Sequence, residues 1–409
     1  MASALPDADP APADGHLPSA ALAAAGAREL GVYLHVPFCA SRCGYCDFTT
    51  YTATELAATG AAAISPGSYV ELAATELRLA AEVLHGRAPP AVTVFFGGGT
   101  PTLLPATDLG RLLRVVADEL GLAPDAEVTT EANPESVDRA YLDQLRAAGF
   151  TRISFGMQSA AEHVLAQLDR RHTPGRAIAC VGWARAAGFE HVNLDLIYGA
   201  PAETEADWRA SLQAAVEAGP DHVSAYSLIV EPGTRLAARV RRGQLRAPEE
   251  DVLAQRYLLA EQMLSTAGLG WYEVSNWAAG PAARSRHNRL YWTGAHWWGV
   301  GPGAHWHIGG VRWWNHKHPR SYAEALRAGR SPALGREVLD TAQQLTERVM
   351  LELRLVEGLD LDVLTPAGRA AATRAAGDGL LEPGALAGGR AVLSLRGRLL
   401  ADAVVRELL

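Results

Sequence analysis

Three of the four cysteines in this sequence lie within eight residues. Cys39, Cys43 and Cys46 are spaced C-x3-C-x2-C in the segment HVPFCASRCGYCDFTT. Soft thiolates this close together bind zinc or iron–sulfur clusters. A structural zinc site takes four protein ligands, usually as two separated pairs, and Cys180 stands alone on a predicted helix, where we interpret it as a small buried apolar residue. The spacing is therefore typical of a [4Fe–4S] cluster with one iron left open, and a catalytic zinc with three cysteines is the alternative.

The compartment also favours a metal over disulfides. Residues 1–30 are rich in Ala and Pro but lack the basic segment and apolar core of a secretory signal, and no apolar run approaches the roughly 20 residues that span a bilayer. We expect a cytoplasmic protein whose residues 1–30 form a disordered leader. Thiols stay reduced in that compartment. The formal net charge of −8 gives no indication of nucleic acid as a partner.

From residue 31 onward, β-rich runs alternate with amphipathic helical segments, which predicts a parallel sheet wound by crossover helices. Six β/α repeats could form an open or closed barrel. The predicted strands cover 31–38, 92–99, 127–134, 152–159, 191–199 and 222–229. The predicted helices cover about 66–86, 105–120, 138–148, 160–188, 204–218 and 249–268.

Several of the predicted strands end in polar or glycine-rich residues, at 97–100, 131–133, 158–159 and Asp195. In parallel α/β folds, ligands bind where the carboxyl ends of the strands converge. We therefore predict the functional site at that edge of the sheet. The alternative, that these are ordinary strand-to-helix turns, explains one or two of the positions but not the set.

The remaining chain divides by composition, as its length of 409 residues predicts for one large domain and one small one. We assign a core to 31–270, a Trp- and His-rich segment to 271–335 and a C-terminal domain to 336–409. Residues 271–318 hold eight of the ten tryptophans and six of the 13 histidines. In the C-terminal domain, helices followed by a hairpin about Gly397 and a last helix predict a winged-helix-like module.

The segment YLHVPFCASRCGYCDF, with an aromatic residue just before the third cysteine, resembles the radical S-adenosylmethionine signature. Further segments follow in the order and spacing of the HemN/HemW family, which comprises coproporphyrinogen dehydrogenases and heme chaperones. These segments are FFGGGTPTLL, TTEANPES, RISFGMQS, LDRRHTPGRA, NLDLIYGAPAET, HNRLYW and LSLRGRLLADAVVREL. The resemblance covers roughly residues 31 to 409.

This resemblance implies an α/β fold, a partial (β/α)6 TIM-like radical SAM barrel followed by a small C-terminal winged-helix-like domain. It also implies that the amino and carboxylate groups of S-adenosylmethionine bind the open iron of the cluster. Carried over position by position, the contacts of this cofactor fall on Tyr33, Gly98, Gly99, Thr100, Glu131, Gln158, Arg170 and Asp195. The residue types suit that role, because glycines allow close backbone approach, carboxylates accept hydrogen bonds from hydroxyl or ammonium groups, and arginine pairs with a carboxylate.

The two branches of the family differ just after the third cysteine. Coproporphyrinogen dehydrogenases that resemble this sequence carry C-x3-C-x2-C-x-C, whereas Phe48 stands at the last of those positions here. Their N-terminal arm is also not matched. The resemblance therefore favours a heme chaperone that delivers heme to acceptors such as respiratory proteins, and it leaves enzyme activity open. The alternatives are an oxygen-independent coproporphyrinogen III dehydrogenase acting through a 5′-deoxyadenosyl radical and, against the acidic balance, a nucleic-acid-modifying radical enzyme.

The Trp- and His-rich segment suits a porphyrin, because a flat apolar ring needs aromatic walls and an imidazole can hold its iron. We expect His287 to be the heme-related residue, with Arg289 and Trp292 as neighbours. The alternative is that these side chains pack as an ordinary core layer. The expected partners are heme and a heme-accepting respiratory protein. An acceptor in a membrane would bring the protein to the membrane surface, although no basic amphipathic helix indicates lipid binding.

Overall fold

A computed structural model describes residues 8–58, 64–171 and 173–409 of the chain. Its strands are β1 (Asp9–Pro10), β2 (Leu30–Val36), β3 (Ala91–Gly98), β4 (Leu122–Ala132), β5 (Arg152–Gln158), β6 (His191–Tyr198), β7 (His222–Ser227), β8 (Gly270–Glu273), β9 (Asn276–Ala278), β10 (His296–Val300), β11 (His305–Ile308), β12 (Val311–Asn315), β13 (Ala333–Val338), β14 (Leu359–Asp360) and β15 (Arg390–Ala391).

The helices connect these strands or cover the sheet. They are α1 (Ser19–Ala24), α2 (Ala53–Ala58), α3 (Pro66–Leu84), α4 (Ala106–Leu120), α5 (Arg139–Ala147), α6 (Glu162–Gln167), α7 (Arg176–Ala187), α8 (Glu205–Ala218), α9 (Arg235–Arg241), α10 (Glu250–Thr266), α11 (Arg286–Trp292), α12 (Pro319–Arg327), α13 (Thr341–Glu352), α14 (Pro366–Gly377), α15 (Pro383–Ala387), α16 (Leu395–Leu399) and α17 (Ala401–Leu408). Among the described helices, none combines the length and the apolar character needed to cross a bilayer.

Six parallel strands, β2 to β7, lie side by side in chain order. Their side chains are buried on both faces, as in β5, where every residue is buried. The crossover helices α3, α4, α5, α7 and α8 contact one another in chain order, so they cover one face of the sheet, and the other face is the inside of the partial barrel. In the described part of the chain the sheet ends at β1 and β8, so the strands are not closed into a ring. The predicted partial (β/α)6 arrangement is confirmed, with the predicted strands displaced by only a few residues.

The crossover helices begin at the polar caps that the sequence supplies. Ser65 accepts the backbone N–H of Ser68 at the start of α3, and Thr204 does the same with Asp207 in α8, which satisfies backbone donors that a helix start leaves open. The predicted helix over 160–188 is wrong as a single element. It is split into α6 and α7. Asp169, shortly after the end of α6, has a positive φ of 52°, and Arg170 follows it.

The expectation of a disordered leader fails for residues 8–30, while residues 1–7 lie outside the described residues. β1 pairs antiparallel with β13, and α1 packs against β11. Leu17, Ala21 and Ala25 are buried in the main core. The alanine-rich composition therefore supplies an apolar helix face, with Ala21 and Ala25 four residues apart on it.

The Trp- and His-rich segment extends the parallel sheet rather than forming a separate unit. β10 pairs parallel to β2, and β11, β12 and β13 follow as antiparallel strands. The rings of Trp298 and Trp306 stack with centroids 4.0 Å apart, and those of Trp306 and Trp313 stack at 4.5 Å. These three tryptophans therefore pack as an ordinary core layer, which was the alternative to a role in binding a porphyrin.

The C-terminal part has a hydrophobic cluster of its own, which includes Leu353, Leu359 and Val404. Its two-stranded sheet joins β14 to β15. The predicted hairpin about Gly397 is wrong, because Gly397 lies inside α16, which Ser394 caps at its start. A side chain at Gly397 would collide with the carbonyl of Leu380, so this glycine serves close packing and not a turn. The winged-helix-like classification of this part stays a prediction.

Candidate functional site

A cavity of about 410 Å³ opens at the carboxyl ends of the parallel strands. All three clustered cysteines and seven of the eight predicted cofactor positions line it. They are Cys39, Cys43, Cys46, Gly98, Gly99, Thr100, Glu131, Gln158, Arg170 and Asp195. The residues come from the loop after β2, from the carboxyl-terminal parts of β3, β4 and β5, from β6 and, for Arg170, from the segment after α6. The fold thus brings together side chains up to 156 positions apart, at the edge where parallel sheets place their ligands.

The cysteines lie on a loop that folds back on the end of β2. Cys39 donates its N–H to the Tyr51 carbonyl at 3.0 Å, and Tyr51 returns an N–H to the Pro37 carbonyl at 2.7 Å. At the tip of the loop, Gly44 donates to the Leu168 carbonyl and accepts from Leu236. A side chain at Gly44 would approach within 2.5 Å of the Asp169 carboxylate. The loop is therefore anchored at both its base and its tip.

The three thiols are free and half-buried. Burial raises the pKa of Cys39, and it raises the pKa of Cys46 to about 11, so metal binding must release protons from these thiols. The Arg170 guanidinium lies 3.5 Å from the Cys43 sulfur. Within the described residues, no three His, Cys, Asp or Glu side chains are arranged as ligands of a single ion. Cys180, in contrast, is fully buried in α7.

The glycine-rich end of β3 exposes backbone to the cavity. Gly98 has a φ of 102°, and a side chain there would lie 2.6 Å from the His35 ring. A side chain at Gly99 would collide with the Phe38 carbonyl. Gly99 and Thr100 donate their N–H groups to the carbonyls of Val36 and Phe38 at 2.8 and 2.7 Å. These bonds hold the turn against the start of the cysteine loop. Because a side chain would collide at position 98 or 99, only glycine fits at these two positions.

Two half-buried carboxyl groups face the cavity. Burial, with the nearby charge of Asp195, raises the pKa of Glu131 to about 8, and Glu131 accepts the Gly98 N–H at 3.2 Å. Burial also raises the pKa of Asp195, although Ser154 and Asn193 donate hydrogen bonds to it at 2.6 and 2.8 Å. A ligand that offers amino or hydroxyl donors would meet both acceptors, and an ammonium group would favour their ionised forms.

Arg170 and Gln158 carry unsatisfied polar atoms at this cavity. Arg170 donates to the Gly156 carbonyl at 2.9 Å, but its buried Nε has no hydrogen-bond partner among the described residues, and the same holds for the buried Oε1 of Gln158. Gln158 also has a positive φ of 65°. Buried polar atoms are normally paired, and strained conformations are typical of functional sites. Both observations indicate that a polar ligand completes the site.

Sequence reasoning missed the polar layer beneath the carboxylates. Asn193 bonds to the hydroxyls of Ser154 and Ser224 at 2.6 and 3.0 Å and to His222 at 2.6 Å, so neighbouring strands hold Asp195 in place. The signal was present, because Asn193 and Asp195 are two residues apart and thus share one face of β6.

Four of the predicted site residues do not line this cavity. Tyr33 is not among the described residues that line this cavity, and its hydroxyl bonds to His35 Nδ1 at 3.0 Å. His287 is 1% exposed, and its two ring nitrogens bond to the hydroxyls of Thr93 at 2.7 Å and Tyr291 at 2.8 Å. Burial lowers the pKa of His287 to about 3. Its expected neighbours point away, since Arg289 pairs with Glu357 at 2.9 Å and the Trp292 side chain bonds to Glu273.

Comparison with known proteins agrees with this geometry. A family model described as the radical SAM superfamily matches residues 33–215. The solved structure of coproporphyrinogen III oxidase (HemN) from Escherichia coli superposes with a TM-score of 0.80 over 97% of this chain and 94% of that one, at 21% identity. The family match thus identifies a radical SAM domain over residues 33–215, and the superposition shows a shared fold.

Relatives in sequence show to which family the chain belongs. The chain is 55% identical to the heme chaperone HemW of Mycobacterium tuberculosis (strain ATCC 25618 / H37Rv) over 382 residues, which cover 93% of this chain and 95% of the relative. It is 32% identical to the heme chaperone HemW of Bacillus subtilis (strain 168) over 80% of this chain and 84% of the relative. The chain belongs to the HemW family.

Proposed function

We propose that this protein is a heme chaperone that binds heme and transfers it to an acceptor protein of respiration. The observation that carries this proposal is the 55% identity to a heme chaperone HemW over 93% of the chain. We also propose that Cys39, Cys43 and Cys46 hold a [4Fe–4S] cluster and that S-adenosylmethionine binds beside it. The transfer would take place in the cytoplasm, where thiols stay reduced.

The residues at the cavity fit these two groups. When bound, the cluster supplies an electron-transfer centre with one iron not held by a thiolate. Arg170 lies 3.5 Å from the Cys43 sulfur, and its unpaired Nε is available to a ligand carboxylate. Glu131 and Asp195 accept hydrogen bonds from amino and hydroxyl groups. The backbone at Gly98 and Gly99 leaves room for close approach.

The identity of residue 48 separates this proposal from the coproporphyrinogen dehydrogenase alternative. Phe48 is 58% exposed at the mouth of the cavity, where it presents an apolar ring and not a thiol. An exposed aromatic ring beside the site suits contact with a porphyrin or a partner protein. The likeness to HemN concerns the fold alone.

Parallel assays on anaerobically reconstituted protein test the function. We expect the protein to take up hemin with a shifted Soret band and to form no protoporphyrinogen from coproporphyrinogen III under reducing conditions with S-adenosylmethionine. Turnover of coproporphyrinogen without stable hemin binding would replace the proposal by the dehydrogenase alternative.

Cysteine variants test the cofactors. Cys43→Ala should lose the cluster absorbance and iron content, whereas Cys180→Ala, a matched control in the core, should keep both. In the wild-type protein the electron paramagnetic resonance signal of the reduced cluster should change when S-adenosylmethionine is added. A Cys43→Ala variant with full cluster content would contradict the ligand assignment.

A further inference from the structure

A second cavity of about 310 Å³ lies next to the first. Asp47 and Phe48, which follow the last cysteine of the loop, line both cavities. The opposite wall comes from the end of α11 and from the turn between β10 and β11. This turn approaches the cysteine loop closely, because a side chain at Gly303 would lie 2.6 Å from the Thr49 hydroxyl.

Aromatic rings in fixed positions line this second cavity. Tyr291 and Trp297 meet edge to face with ring centroids 4.8 Å apart, and Trp297 donates its ring N–H to the His305 carbonyl at 3.1 Å. Tyr291 is also held by His287, whose Nε2 lies 2.8 Å from its hydroxyl. With the exposed ring of Phe48, these side chains form apolar walls for a flat ligand.

His305, the first residue of β11, brings an imidazole to the cavity. Its side chain is exposed, and neither ring nitrogen has a hydrogen-bond partner in the part of the chain that the structure describes. His287 differs in both respects. Lys317, the single lysine of the sequence, lines the same cavity and adds positive charge, and Asp47 adds one carboxylate. The cavity therefore combines aromatic walls, an accessible imidazole and a cation.

We propose that heme binds in this second cavity, with His305 as the ligand of its iron, Trp297 and Tyr291 against the ring, and Lys317 facing a propionate. This proposal rests on the proposed heme chaperone function. A volume of about 310 Å³ is near the lower end for small-molecule sites, so part of the porphyrin would stay exposed, as transfer to an acceptor requires.

The mouth of the first cavity is the competing location. Tyr226 and Ile229 expose apolar surface there, but among the described residues that line the first cavity there is no histidine. Its carboxyl groups, Asp47, Glu131, Asp195 and Glu231, outnumber its cations, Arg42 and Arg170. Both arginines already have partners, since Arg42 donates to the Thr50 carbonyl and Arg170 to the Gly156 carbonyl. The composition of the two cavities thus favours the second one for heme and leaves the first for the cluster and S-adenosylmethionine.

Titrations with hemin and with iron-free protoporphyrin IX test the proposal on the reconstituted full chain. His305→Ala should weaken hemin binding at least tenfold and change the Soret band, but leave binding of iron-free protoporphyrin IX unchanged, since only the iron contact is lost. Trp297→Ala should weaken the binding of both hemin and iron-free protoporphyrin IX. His163→Ala, which removes an exposed histidine of α6 remote from the cavity, should alter neither. Cluster content and the melting temperature show whether each variant is folded.

The outcomes separate this proposal from the proposed function. If the wild-type protein binds no hemin, both fail. If it binds hemin and His305→Ala matches it in affinity and spectrum, the site is wrong and the chaperone function stands. Loss of hemin binding in Ile229→Asp but not in Trp297→Ala would place heme at the first cavity instead. Equal uptake of several hemin equivalents by all variants would indicate adventitious binding only and would also overturn the proposal.

Discussion

Replacing Glu131 with glutamine should make the binding of S-adenosylmethionine nearly independent of pH. In the wild-type protein, burial and the charge of Asp195 raise the pKa of Glu131 to about 8, so this carboxyl group is mostly neutral at pH 7. Each pH unit below that pKa costs about 1.4 kcal/mol for ionisation. If the ligand is bound by the carboxylate, affinity should therefore be roughly tenfold lower at pH 7 than at pH 9.

The assay is a titration of the reconstituted protein with S-adenosylmethionine between pH 6 and 9, followed by the electron paramagnetic resonance signal of the reduced cluster. Glu203→Gln is the matched control, because burial also raises the pKa of Glu203, to about 7, but its side chain bonds to the Gly199 N–H outside the cavity. This control should keep the wild-type pH dependence. A wild-type affinity that is flat across this range, or a Glu131→Gln variant with unchanged pH dependence, would refute the role of the Glu131 carboxylate.

The raised pKa of Glu131 also affects the stability of the ligand-free protein. The folded protein holds the Glu131 proton more tightly than the unfolded chain, whose carboxyl has a pKa of 4.5. The contribution of the Glu131 carboxyl group to the free energy of unfolding is therefore fully present below pH 4.5 and is lost as the pH rises through 8. Glu131→Gln should consequently raise the melting temperature of the ligand-free protein at pH 9 relative to wild type, and leave it unchanged at pH 4.

Three further substitutions probe the walls of the two cavities. Gly98→Ala places a methyl group against the His35 ring at a φ of 102°. This variant should bind S-adenosylmethionine at least tenfold more weakly in the same titration. The control Gly182→Ala places its methyl group in open space on α7 and should not change the affinity. Trp306→Ala removes the middle ring of the tryptophan stack and should lower the free energy of unfolding in urea by about 3–5 kcal/mol; a loss below 1 kcal/mol would show that the stack is not a core element. His287→Ala should weaken hemin binding less than His305→Ala and keep the ligand spectrum, because His287 acts only by positioning Tyr291; a changed Soret band in His287→Ala would restore it as the iron ligand.

Local patterns in the sequence were sufficient for the parallel half of the sheet. Strands such as β5 and β6 are short apolar runs bounded by polar turns, and helices such as α8 begin at their caps, so both are encoded by neighbouring residues. The antiparallel strands β11 to β13 were not predicted. The pairings of β10 with β2 and of β1 with β13 were not predicted either, because they join residues 266 and up to 327 positions apart and leave no local periodicity. Alanine-rich composition likewise concealed the buried face of α1.

The same reasoning explains why seven of the eight predicted cofactor positions line one cavity, whereas His287 is enclosed elsewhere. The cysteine loop and the ends of β3 to β6 converge because parallel strands in chain order place their carboxyl ends together. Among six histidines in one segment, however, only the tertiary packing decides which imidazole is enclosed and which is accessible. His287 follows the cap of α11 and faces Phe95, with ring centroids 5.0 Å apart, whereas His305 lies at the open start of β11.

The segment from Asp47 to Thr49 connects the two cavities physically. Asp47 and Phe48 contribute to both, and the Thr49 carbonyl is bonded to His35 Nε2 at 2.8 Å. His35 in turn bonds to Tyr33 and packs beside Gly98. Ligation of Cys46 would therefore fix one end of a wall that the second cavity shares. If heme binds there, hemin affinity should differ between cluster-loaded and cluster-free protein, since the two sites bias the same segment; equal affinities would mean that the wall is already rigid without the cluster.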